Sequence, residues 1–218
     1  MTAQTWIDET KNLLLTDYVE EHDVLATDVN DSGTSFNFTH DAAGIVAGSI
    51  IEIGTELMYV FSVNATNNDA TVRRGFRGTT AAAHFQGDLV TVNPKFPAQQ
   101  VLDAINDQLN DLSSPQNGLY QMKTVDFTFN AAQDGYDLTG VTDDIISVYQ
   151  VTYSDVGAEA AEPVISSWSL RRDRNTSSFA SGYALILHDD GWAGQTVRVQ
   201  YKTGFTALSA TSTALSTV

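Results

Sequence analysis

The residues with chemistry to offer in this chain are four histidines, an excess of carboxylates and two clusters of arginine. A metal site would need several His or carboxylate ligands at helix or hairpin spacing. His22, His40 and His188 are scattered, each directly before an aspartate, and His84 stands three residues before Gly87-Asp88. Exposed or capping positions are the expectation for all four. Glycoside hydrolysis requires two carboxylates facing each other across a cleft, and abundance alone does not supply that pairing. No Gly-x-Ser-x-Gly element marks a nucleophile elbow. The glycine-rich stretch Arg74-Gly75-Phe76-Arg77-Gly78-Thr79 is too short for a phosphate loop and is followed by Thr80-Ala81 rather than by Lys. Gly75 and Gly78 instead suit a tight corner with positive φ. With no cysteine in the chain, thiolate ligands, thiol nucleophiles and disulfides are excluded together. The expectation is a protein without catalysis, metal or cofactor.

The arginines are more informative. Six of the 11 basic residues form two clusters, Arg73/Arg74/Arg77 and Arg171/Arg172/Arg174. In an acidic chain such guanidinium groups seek carboxylates, which they bind in pairs of parallel hydrogen bonds. Intrachain pairing that fixes a loop, pairing with acidic surface on a neighbouring copy, and contact with DNA are the three open alternatives. Both clusters are taken as candidate intersubunit contacts. Trp6 and Ile7, on a short N-terminal helix that would be marginal alone, are candidate anchors in a groove of another subunit. Trp168 alternates with serines and is expected in a core, whereas Trp192 belongs near a loop.

The net charge is -16, from 27 acidic against 11 basic residues, which opposes binding to a nucleic-acid backbone. Such acidity serves solubility, or forms a wall that DNA slides past without sticking. A mean hydropathy of -0.14 fits a soluble globular chain. No apolar run approaches the roughly 18 residues of a membrane span, and the N-terminus shows no secretory pattern. Synthesis and folding in a cytosol, without a membrane partner, are expected.

The elements that must position these residues are mostly strands. Residues 1–25 read as an N-terminal helical arm, with the helix over Thr5–Leu15. Residues 26–96 read as a small closed β-unit. In it Phe36 and Phe38 alternate on one strand; Ser49–Ile53, Leu57–Val63, Ala70–Arg73 and Leu89–Val92 supply four more, and Asn67-Asn68-Asp69 makes a turn. Apolar positions Val101, Leu102, Ile105, Leu109 and Leu112 predict an amphipathic helix within 97–115, with Pro97 at its start. Ser113–Pro115 and Asn117-Gly118 end it and mark the boundary between halves. Residues 116–208 form a second, sandwich-like unit, with strands over Lys123–Phe129, Asp144–Tyr153, Tyr183–Leu187 and Thr196–Tyr201. Turns are expected at Asp134-Gly135, Ser181-Gly182 and Asp190-Gly191, and residues 209–218 are expected to be a flexible tail. The fold class is therefore mainly β with a few helices, two small barrel- or sandwich-like units joined by an amphipathic helix.

The run from Glu52, Glu56 and Met58 through Arg74-Gly75, Gly78-Thr79, His84 and Gly87-Asp88 to Asn93-Pro94 resembles a module of structural proteins in tailed-bacteriophage virions. More loosely, Gly194, Val197, Val199 and Tyr201 match the closing strand of phage neck and head-to-tail connector proteins. The resemblance implies a virion protein assembled in the bacterial cytoplasm as a homo-oligomeric ring. The ring would join portal to tail proteins and line the channel through which genome DNA passes without specific binding. Sixfold and twelvefold symmetry both satisfy ring closure. The chain departs from the mostly helical adaptors of many long-tailed phages and suits a β-rich ring. A tail-fibre or baseplate β-domain binding host glycan or other tail proteins is the alternative.

Overall fold

A computed structural model describes residues 2–40, 44–114, 116–133, 135–141, 144–154, 162–188 and 194–209. The chain is mainly β and divides into two compact units, Met1–Asp107 with the chain returning at Leu208, and Gln108–Ala207. The division falls inside the second helix rather than at the Ser113–Gly118 turn. The reason lies at Leu208, whose N–H donates to Asn106 Oδ1 at 2.7 Å while its carbonyl accepts from Asn106 Nδ2 at 3.0 Å.

In the first unit six strands, β1 (Glu21–Val24), β2 (Ser35–Asn37), β3 (Ile50–Ile53), β4 (Glu56–Asn64), β5 (Asp69–Arg73) and β6 (Leu89–Val92), run in the order β1-β6-β3-β4-β5-β2. The two outer strands then meet. Ala26 N–H donates to Asn37 O at 2.8 Å, Thr39 N–H donates to Val24 O at 2.9 Å, and Leu25 bridges Phe38, so the sheet closes into a barrel. Closure leaves no row of unpaired backbone groups. The alternation of β5, with Ala70 and Val72 buried and Thr71 and Arg73 exposed, is what a half-buried strand requires. Phe36, Phe38, Leu25, Ile51, Met58 and Val60 fill the interior. Each such side chain contributes about 1.5–3 kcal/mol by leaving water. Asn68 supplies the turn between β4 and β5 at φ 51°, as its side chain permits.

Helix α1 (Ala3–Leu14) is capped by Thr2, whose hydroxyl accepts from Thr5 N–H at 3.2 Å. Helix α2 spans Ala98–Leu112. Ile7 of α1 is fully buried against Ala98, Val101 and Leu102, with Phe96, Ile105 and Leu208 around it. The N-terminal helix thus finds its groove within its own unit. Residues 21–24, read from the sequence as part of the arm, are a barrel strand; only Val24 of Glu-His-Asp-Val carries a β-forming apolar side chain.

The second unit packs two three-stranded sheets over one core. One sheet orders β10 (Trp168–Arg171), β11 (Ala184–Leu187) and β8 (Gly135–Asp137); the other orders β7 (Gln121–Thr128), β12 (Thr196–Thr203) and β9 (Ile145–Ser154). On β12 the residues Val197, Val199, Tyr201 and Thr203 face inward with strict alternation. Tyr136 stacks on Phe127 at 4.6 Å, and half-buried Trp168 packs against the same core, as its pattern predicts. Arg198 holds β12 to β7 by two 3.0 Å bonds to Asp126. Asp134, Asp190-Gly191, Trp192 and residues 210–218 lie outside the described residues.

Candidate functional site

Glu56 opens β4 and is 1% exposed. A lone buried carboxylate is costly, so its partners decide its role. Arg74, in the turn after β5, reaches back to it with Nε donating to Oε1 and Nη2 donating to Oε2, both at 2.7 Å. His84 Nε2 lies 2.8 Å from Oε2, and the backbone N–H groups of Ala82 and Gly75 donate to the carboxylate at 3.0 and 3.2 Å. Burial alone would push this carboxyl up. The hydrogen bonds from Arg74, His84, Ala82 and Gly75 outweigh it and hold the group at about 2. Facing an ionised oxygen, His84 carries its proton on Nε2.

Arg74 is equally saturated. Its remaining N–H groups donate to Asn30 O and Gly33 O, each at 2.8 Å, and to Ala82 O. All five guanidinium donors are used, and the group lies 5.0 Å from the centre of the Phe36 ring. One ion pair therefore ties β4, the 30–33 turn and the 79–84 segment together. Gly75 and Gly78 adopt φ 61° and 85°, the corner expected of them, and a Cβ on Gly75 would come within 2.9 Å of Thr79 O. Thr79 Oγ1 accepts from Leu57 N–H at 3.1 Å. Asp88 Oδ2 accepts from Phe85 N–H at 2.8 Å in the turn closed by Gly87, φ 95°.

The structure corrects three expectations here. His84 is buried rather than exposed or capping, because Glu56 needs its N–H. Arg74 is an internal cross-link with 8% side-chain exposure, leaving nothing to offer another subunit. Ile7 is unavailable for the same purpose, being wholly buried, whereas Trp6 beside it is half-buried. Arg73 and Arg77 are exposed; Arg77 lies over the Phe76 ring at 5.6 Å and holds a left-handed conformation at φ 56°.

A second buried cluster, Lys11, Glu20, Glu52 and Ala98, escaped sequence reasoning because its successive members are 9, 32 and 46 residues apart and follow no pattern. Glu52 on β3 accepts from Lys11 Nζ at 2.9 Å and from Ala98 N–H at 2.5 Å. Pro97 O accepts the first α2 bond, from Val101 N–H at 3.1 Å, but its apolar ring has no acceptor to cap the helix. Glu52 performs that task from a distant strand. Burial pushes its carboxyl up; Lys11 and Ala98 offset part of this, and Glu20, 3.7 Å from Lys11, adds to the push. A cavity of about 370 Å³ opens beside it, lined among others by Asp8, Lys11, Glu52, His84 and Asp88. Among the described residues no group of three or more His, Cys, Asp or Glu is placed to hold a metal ion.

The second arginine cluster differs from the first. Arg171, Arg172 and Arg174 are all exposed, and among the described residues none of them meets a carboxylate. Arg172 donates from Nη2 to Ile146 O at 2.7 Å. No protein-family model matches the chain, and no curated protein matches it significantly.

Proposed function

We propose that this chain is a structural protein of a tailed-bacteriophage virion, of the neck or head-to-tail connector type. It assembles as a homo-oligomeric ring that joins portal to tail proteins and lines the channel for genome DNA. One observation carries the reading: the motif residues on which the phage resemblance rests converge in space. Glu56, Arg74, Gly75 and His84 form one buried network, with Thr79, Gly87 and Asp88 fixing the turns around it. A pattern spread over more than 30 residues is thus a single structural device, the internal brace of a closed barrel. The site is saturated with hydrogen bonds, which suits a scaffold that resists deformation. The exposed arginines, Arg73, Arg77, Arg171, Arg172 and Arg174, supply contact groups for neighbours on an acidic chain.

The test is a virion preparation lacking the chain. Heads that lose their packaged DNA or fail to attach tails are the expected result; full heads with normally attached tails overturn the proposal. Negative-stain imaging of the purified chain adds a second readout. Closed rings of six or twelve copies support a connector, and trimers that bind host glycan point to the tail-fibre alternative.

A further inference from the structure

Lys11 on α1, Glu52 on β3 and Glu20 just before β1 make a trio whose side chains are 14%, 3% and 4% exposed. Lys11 Nζ lies 2.9 Å from Glu52 Oε2, and Ala98 N–H, at the open end of α2, donates to Oε1 of the same carboxyl at 2.5 Å. Glu20 Oε2 stands 3.7 Å from Nζ, while its Oε1 accepts from Lys95 N–H at 3.2 Å. The parts needed to join an amine to a carboxyl are therefore assembled. An amine is held against the acid, a backbone donor sits on the oxygen that gains charge, and a second carboxylate can carry protons. Glu56 offers the contrast. Its five donors include no lysine, and they hold it ionised, a form that amines do not attack. Burial favours the neutral form of Glu52, which is the electrophile such a reaction requires.

We infer that Lys11 and Glu52 condense, after the first unit has folded, into an amide that joins α1 covalently to β3. A proton first crosses the hydrogen bond from Nζ to Oε2, leaving an amine beside a carboxylic acid. The Nζ lone pair attacks Glu52 Cδ, and Ala98 N–H holds the charge that gathers on Oε1. Glu20 takes a second proton from Nζ and delivers it to Oε2, which departs as water into the adjoining cavity of about 370 Å³. The C–N bond replaces the Cδ–Oε2 bond, and one proton stays on the amide nitrogen. Glu20 is regenerated, and nothing is oxidised or reduced.

Alignment of this kind is worth an effective molarity of up to about 10⁵–10⁸ M. The product also exchanges a buried ion pair for a neutral amide, relieving the desolvation that the pair carries. Glu52 behaves as a carboxyl only in chains where the bond has not yet formed. Along α1 only Ala3 and Ile7 are buried, so the bond makes permanent an attachment that packing alone holds lightly. The inference stands apart from the phage reading and needs no second copy.

The test is the intact mass of the full chain, kept folded in buffer and followed with time beside circular dichroism. The expected result is loss of the mass of one water. A chymotryptic digest should then hold a branched peptide linking the segments around Lys11 and Glu52. Lys11→Arg should keep its full mass. Glu20→Gln retains an acceptor for Lys95 N–H and should stay folded, yet lose water roughly a hundredfold more slowly. A wild-type chain that stays folded at full mass overturns the inference, whether or not either variant folds. So does a water lost elsewhere: a succinimide at Asp134-Gly135 or Asp190-Gly191 has the same mass but maps to those residues and opens in hydroxylamine. A folded Glu20→Gln chain that reacts at the wild-type rate overturns the proton route through Glu20. Virions lacking the chain judge the phage reading separately, so the two fail independently.

Discussion

Glu52 and Glu56 sit at the two sides of one hairpin turn, both almost wholly buried, and their carboxyls are shifted in opposite directions. Five donors converge on Glu56: two from Arg74 and one each from Gly75, Ala82 and His84. Glu52 receives two, and the lysine that supplies one of them lies 3.7 Å from a second carboxylate. Exposure is nearly equal, but Glu52 lies deeper in the protein, and burial is the largest influence on its carboxyl. At Glu56 the larger number of donors outweighs burial; at Glu52 two donors, one of them a shared lysine, do not.

The largest expected effect breaks the better-satisfied side. Arg74→Ala leaves Glu56 buried without its main partner and should cost about 3–5 kcal/mol of folding free energy, measured as a lower urea midpoint of the isolated protein. Arg74→Lys should not rescue it, since one ammonium cannot reach five acceptors in a fork. Glu52→Gln should cost less, roughly 1 kcal/mol or nothing, because the amide oxygen still accepts from Ala98 N–H and the burial of an ionised group is relieved.

The pH dependences sharpen the contrast. The lowered carboxyl of Glu56 makes its contribution complete above the ordinary value of 4.5 and lost as pH falls toward about 2. The raised carboxyl of Glu52 favours the folded state while protonated, and that advantage is lost as pH climbs above 4.5. The stability difference between wild type and Glu56→Gln should therefore grow with pH from about 2 to 4.5, while that between wild type and Glu52→Gln should shrink above 4.5. Parallel curves would show that the two sites are alike after all. The smallest effect concerns the corner itself: Arg77→Gly removes a left-handed strain and should stabilise by roughly 0.5–1 kcal/mol, read in the same titration.

Sequence carried β3 to β6 because short runs of β-forming apolar residues are separated by Gly and Asn turns, and β5 alternates strictly. It also carried α2, whose spacing is helical, and four of the six second-unit strands; the two it missed, β8 and β10, are only three and four residues long. The motif was visible as a pattern, yet the alternatives for its arginines stayed open, because pairing of Arg74 with a residue 18 positions earlier depends on closure of the barrel. Glu52 as the cap of α2 had no local signature at all. The separation of Arg74 from Arg73 and Arg77 was equally illegible: neighbours in sequence point to different sides of a turn.

That long-range cap orders events in folding. The first turn of α2 gains its anion only when β3 has reached it, so the segment 96–114 as a free peptide should show weak helicity by circular dichroism. In the whole chain the helix should consolidate after the hairpin, so that Glu52→Gln leaves the refolding rate almost unchanged and any stability it costs appears as faster unfolding.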